Sequence, residues 1–304
     1  MPDFIDAPAA LGFVTHQRTH IETEVLKRPY PAVKYAEMIP IDTTASPFSL
    51  SVTHFTQDAT GRAKFINGKG DGVPLVNISG SKFEQMVNMA GVGYSFSLEE
   101  IGAAQQMGTN LQSDGAQAAR ESYEQFVDEV AFAGDTTLGI EGFYSMTGVP
   151  SGSATETFAA SVTAGTVDNI LANINKEINA VYSNTLGIEM PDTVVLPLGE
   201  FARLSSTRLG DGPGATVLDY IRRANVYTAQ TGQPLSIFAD RRLTTKAVIY
   251  RRDPSVLKMH MPMPLRFIAP QSVNLEIKVL GMFRFAPVNI RKPQAVRYLT
   301  GVAA

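Results

Sequence analysis

The chain has 304 residues, 44% of them hydrophobic and 18% charged, enough apolar material for one large domain or two joined ones and no mark of global disorder. It has no cysteine, which excludes disulfides and cysteine-bearing metal sites. The net charge of −3 hides a split: residues 1–240 carry 14 basic and 27 acidic side chains, residues 241–304 carry 12 and 2. Such a division fits distant parts of one fold neutralising each other, complementary subunit contact, or a positive face toward nucleic acid.

Residues 1–35 show no sustained period. Ile21, Val25 and Leu26 offer a brief helical face that Pro29 and Pro31 end, and a polar leading arm of this kind frays unless it is tied down, for instance against another subunit. No signal peptide fits the first twenty residues, which carry Asp3, Asp6 and two histidines. From Phe48, the alternation of Phe48, Leu50 and Val52 with serine and threonine predicts a half-buried strand. A turn near Asp58–Gly61 and a return through GRAKFI are expected, then the glycine-rich 67–72 leading into VPLVNIS. A two-stranded excursion of this kind needs a packing partner.

The segment from Phe83 to Gly142 reads strand, short helix, break, long helix, glycine exit. Ser97 and Glu100 form a capping box for the first helix, which Gly108 ends. Asp114, with Gln117, is expected to cap the second. Ala119, Tyr123, Phe126, Val127 and Val130 recur at helical spacing as a packing stripe, Arg120, Glu121, Glu124, Asp128 and Glu129 read as a solvated face, and Gly134 suits the C′ position. A flexible-looking stretch at 147–165 precedes a third helix from Thr166 with Val167, Ile170, Leu171, Ile174, Ile178 and Val181 on one face. DTVVLP predicts a buried strand, GEFARLSSTRL and ATVLDYIRRAN two helices, and LSIFAD and TKAVIYRR two more strands. MHMPMPLRFIAP reads as an irregular connection. SVNLEIKV predicts one strand with Val273, Leu275, Ile277 and Val279 on a face, and MFRFAPVNI the next, with Pro287 at an edge or bulge.

Chemistry is sparse. His16 and His20 are four apart but lack the glutamate of a zincin pattern, and His54 and His260 have no visible partners. The acids lie at capping or solvent-facing positions, unlike a coupled acid–base pair. GKGDG and GDGPG match no phosphate-binding fingerprint, and Ser205 and Ser206 lack a nucleophile elbow. The doublets Arg222–Arg223, Arg241–Arg242 and Arg251–Arg252 suit subunit or intramolecular pairing, with nonspecific DNA contact as the alternative. No run approaches the roughly 18 apolar residues of a membrane span, so no membrane partner is expected. No cofactor, metal or enzymatic activity is expected.

VPLVNISGS, GYSFSLEEIGAAQQMGTNLQSDGAQAAR, the run to Ala133–Gly134–Asp135 and IEGFYSMTGVP resemble the major capsid proteins of tailed bacteriophages. The group it is most similar to was formerly known only as a conserved domain of unknown function. The tail, from Asp253–Pro254 through MPMPLRFIAPQ to VNIRKPQAVRYLTGV, is similar to the same family. The resemblance covers about residues 73–150 and 190–304 and rests on structural rather than catalytic motifs. It implies an α+β, HK97-like capsid fold. Residues 1–35 would be the N-terminal arm and 45–80 an extended β loop. Residues 36–44, 81–149 and 251–304 would form a peripheral domain with a long spine helix, and 150–250 an axial domain.

The implied function is self-assembly as hexamers and pentamers into an icosahedral or prolate shell around double-stranded DNA. Portal, decoration or scaffolding proteins would be partners, in a virion assembled in the bacterial host cytoplasm. Phe48, Leu50 and Val52 would make inter-subunit loop contacts, and Tyr123, Phe126 and Val130 would pack the spine. A bacterial nanocompartment shell enclosing cargo enzymes is the alternative, and a soluble hydrolase the more distant one.

Overall fold

The computed structural model describes residues 31–65, 73–107, 111–209 and 214–303. His16, His20, the leading arm up to residue 30, the glycine-rich stretch beyond Phe65, Gly108, and GDGPG up to Pro213 lie outside the described residues. Val33–Ala304 forms one unit, built around two adjoining apolar clusters.

The first cluster gathers on a long helix, Leu111–Ala133. Tyr123, Val127 and Val130 are buried along it as the spacing predicts, and they face a sheet in which Asn88–Ser97 pairs along its whole length with Glu276–Phe285. The helix rests closely on that sheet because Gly115 has no side chain: a Cβ there would lie 2.7 Å from the Phe96 ring and 2.8 Å from Tyr94. It ends where predicted. Gly134 takes φ +83°, and any Cβ would strike the Ile140 carbonyl. Asp114 is not the cap, however. The helix starts at Leu111, so Asp114 sits inside its first turn, where a carboxylate still complements the helix dipole.

The short helix before it, Leu98–Met107, has the expected capping box: Ser97 N–H donates to Glu100 Oε2 at 2.8 Å and Glu100 N–H to Ser97 Oγ at 3.2 Å.

The second cluster lies over a five-stranded mixed sheet with the order Ser151–Ser153, Val296–Thr300, Lys246–Tyr250, Thr193–Pro197, Ser236–Asp240. Every residue of Thr193–Pro197 is buried. The helix Val167–Asn184 packs here through Ile170, Ile174 and Ile178, and Val181 is buried as well. The stretch expected to be flexible contains a further helix, Phe158–Thr163, capped by Thr157. Another short helix, Val226–Thr231, follows Val217–Arg223 and is capped by Asn225. Both are brief and stabilised by packing, which periodicity does not register.

Three strand assignments change. SVNLEIKV is a hairpin rather than one strand: Gln271–Val273 folds back on Glu276–Phe285 through Asn274 at φ +55°. MFRF completes that long strand, and Val288–Ile290 belongs to a separate small sheet with Ile41–Asp42 and Leu257–His260. The proline-rich connection also holds strands, Leu257–His260 and Met263–Phe267; Pro264 is accommodated on an edge strand whose register shifts between Met263 and Arg266.

Candidate assembly surface

Ser51–Thr60 and Asn77–Met86 pair in register over ten residues each, and the first strand runs on to Thr60, into the turn predicted near Asp58–Gly61. The partner is therefore 77–86 and not GRAKFI. No side chain in either strand is fully buried.

Phe48 and Leu50, leading into the hairpin, are 73% and 75% exposed, Phe55 and Ile78 within it 72% and 67%, and Val52 is half-buried. At its root the hairpin is held by His54 stacked on Phe83 at 5.3 Å, and by Gln85 Nε2 donating to the Pro287 carbonyl at 2.8 Å. An open cleft of about 600 Å³ lies there, lined by His54, Phe83, Gln85, Asn289 and Arg291. Burial, then the Arg291 charge, pushes the His54 imidazolium toward its neutral form.

On the long helix, Tyr123 meets Phe283 edge-on at 4.7 Å, while Phe126, 41% exposed, reaches Phe283 and Phe285 from the rim of the cluster. Val130 is buried. The solvated-face reading fails at Asp128, which is buried and accepts the backbone N–H groups of Lys34 and Tyr35 at 2.8 Å each while pairing with Arg242. Arg242 also reaches Asp240, whose carboxylate accepts the Tyr144 hydroxyl at 2.7 Å. Burial and that neighbouring carboxylate push the Tyr144 hydroxyl well above the usual phenol range. These polar contacts join the start of the described chain, the long helix and the five-stranded sheet, a long-range convergence that sequence spacing cannot signal.

The arginine doublets divide. Arg242 and Arg251 are structural, the latter pairing with buried Glu189 at 2.8 Å and with Asp253 at 3.6 Å. Arg223, Arg241 and Arg252 are exposed and Arg222 half-buried, and among the described residues these four make no ion pair. His260 has a neighbour after all: buried, it sits 3.4 Å from the Asp42 carboxylate, which is itself paired with Lys258. Burial, reinforced by Lys258, drives His260 toward the neutral form. Hydrogen bonds from Lys258 and Thr44 hold Asp42 well below the usual carboxylate range. Ser205 and Ser206 hydroxyls donate to carbonyls of their own helix. Among the described residues no group of three or more histidines and acids could hold a metal, and no helix is long and apolar enough to cross a membrane.

A slender hairpin, a long helix, an antiparallel sheet packed on it and a mixed five-stranded sheet define an α+β, HK97-like capsid fold. The chain belongs to the major capsid protein family, whose model matches residues 61–302.

Among solved structures, the capsid of Myoviridae phage XM1 is similar at 18% identity and a TM-score of 0.77, over 99% of this chain and 100% of that one. The capsid of an empty GTA particle gives 10% identity and a TM-score of 0.62 over 99% and 100%. A virus-like particle from Pyrococcus furiosus gives 12% and 0.54 over 87% and 91%. No curated protein matches.

Proposed function

We propose that this chain is the major capsid protein of a tailed bacteriophage, assembling as hexamers and pentamers into an icosahedral or prolate shell around double-stranded DNA. The observation that carries the reading is the hairpin, whose apolar side chains Phe55 and Ile78 find no cover in their own copy. A two-stranded ribbon is marginal alone, and burial against neighbouring copies supplies what the subunit lacks. Phe48, Leu50 and Val52 then act as loop contacts. Residues 1–35 serve as arm, 45–80 as extended loop, 36–44, 81–149 and 251–304 as peripheral domain, and 150–250 as axial domain. Tyr123, Phe126 and Val130 brace the spine. Arg222, Arg223, Arg241 and Arg252 are available for subunit or DNA contact. Portal, scaffolding or decoration proteins complete the particle, built in the bacterial host cytoplasm.

The nanocompartment reading draws support from the likeness to the Pyrococcus furiosus virus-like particle. The greater likeness to the phage XM1 capsid favours the viral reading. Negative-stain microscopy of purified protein tests both against a monomer: uniform shells or capsomers are expected, and a monodisperse monomer at all salt and protein concentrations defeats them. Nuclease-protected double-stranded DNA in particles from producing cells supports the virion, and a co-purifying enzyme cargo the compartment.

A further inference from the structure

His260 is buried without a hydrogen bond. It is 4% exposed, and neither ring nitrogen has a hydrogen-bond partner among the described residues. Around it stand one carboxylate, Asp42, two fixed cations, Lys258 and Arg291, and a second imidazole, His54 on the hairpin. The Asp42 carboxylate, 3.4 Å away, is already engaged: Lys258 pairs with it, and the Thr44 hydroxyl and N–H donate to it at 2.6 and 3.0 Å. His54 faces Arg291 too, and the carboxylates lining its cleft, Glu84 and Glu141, are held by Ser51 and Thr147. A proton on His260 therefore adds a buried positive charge beside two others, with no free acceptor to meet it.

The element covering this site is slight. Ile41–Asp42 is a two-residue edge strand paired with Leu257–His260, and Asp42 lies directly opposite His260. The Pro40 and Asp42 carbonyls accept the N–H groups of Met259 and Met261 at 3.0 and 2.8 Å. An open cleft of about 210 Å³, lined by Ile41, Asp42, Thr44 and Lys258, adjoins the pairing. Upstream the chain is fixed: Met38 and Ile39 are fully buried, and the Tyr250 hydroxyl donates to the Met38 carbonyl at 2.8 Å. Downstream it leads into the hairpin at Ser51. A short edge element of this kind opens locally at a lower cost than the whole fold.

We propose that His260 is an acid-sensitive latch on the entry to the hairpin: its protonation releases Ile41–Asp42 from Leu257–His260 while the two apolar clusters stay folded. The released imidazole is hydrated and takes a proton more readily than the buried one, so falling pH favours the released form. Burial, then the Lys258 charge, hold the closed imidazole toward its neutral form, which is the same direction. Asp42, with its hydrogen bonds from Lys258 and Thr44, stays ionised over that range. The latch lies within one subunit and does not depend on shell formation.

Hydrogen exchange of the full chain in subdenaturing urea, corrected for the intrinsic pH dependence of amide exchange, tests this. From about pH 7.5 to about pH 5, across the imidazole range, the Met259 and Met261 amides are expected to lose protection severalfold. They should do so through a local opening that exposes little surface and so is insensitive to urea. His260→Gln, neutral throughout, should abolish the loss, and His54→Gln should leave it in place. Lys258→Met, which frees Asp42 for the imidazolium, should reduce the loss and decides the matter if the glutamine variant at 260 does not fold. Wild-type protection that does not change with pH overturns the proposal. So does a loss that persists in His260→Gln, is undiminished in Lys258→Met, or vanishes in His54→Gln. Met259 and Met261 amides that exchange only together with those of Val194, Val195 and Leu196, in a urea-dependent opening, show global unfolding and overturn it as well.

Discussion

The hairpin and the five-stranded sheet are both β structure, yet the subunit treats them in opposite ways. Thr193–Pro197 is buried at every position, whereas neither ten-residue strand of the hairpin has one fully buried side chain. Burying one Val, Leu or Ile side chain contributes about 1.5–3 kcal/mol, so subunit stability concentrates in the sheet and its helices. The hairpin leaves both its edges and its apolar row open, an arrangement that invites pairing with other chains. Extended structure thus serves folding in one place and, in the function proposed above, association in the other.

The contrast is open to attack by substitution. The largest loss is expected at Arg297, whose Nε lies 2.5 Å from fully buried Glu177. Arg297→Ala strands that carboxylate and should cost about 3–5 kcal/mol in chemical denaturation. Leu196→Ala, in the buried strand, should cost about 2–5 kcal/mol by the same measurement. Ser97→Ala removes the hydroxyl that caps Leu98–Met107, an expected loss of about 1 kcal/mol.

His260 gives a pH-dependent contribution. Its folded pKa lies below its unfolded value near 6.5, so the unfolded chain binds the proton first. Stability should decline as pH falls below about 6.5 and stop declining once the folded imidazole is protonated. His260→Gln should flatten that limb while leaving the loss at lower pH from Asp42, whose carboxylate Lys258 keeps ionised. The smallest effect on the subunit belongs to Phe55→Ser with Ile78→Ser, at most about 0.5 kcal/mol for exposed positions. A larger cost there would mean the hairpin supports its own copy.

The elements legible in the sequence were those fixed by local chemistry. Ser97 and Glu100 meet within one turn, Gly134 satisfies a backbone requirement, and the stripes on the two long helices follow from period. What escaped depended on distant partners. Asp58–Gly61 has turn composition, but pairing with 77–86 carries the strand on to Thr60. SVNLEIKV alternates cleanly, yet Asn274 can take positive φ and lets the chain fold back. Asp128 sits among acids on a helix, and only Arg242 and the Lys34–Tyr35 backbone, far away in sequence, make it a buried anchor. Phe48 and Leu50 are exposed and precede the hairpin, which begins at Ser51, although alternation alone predicts a strand from Phe48.

Sedimentation velocity of wild type beside the Phe55→Ser/Ile78→Ser variant shows whether the exposed hairpin side chains join subunits. Capsomers or shells are expected for wild type, and for the variant a folded subunit with an unchanged melting temperature that no longer closes into shells. A variant that builds shells as readily as wild type would contradict that role.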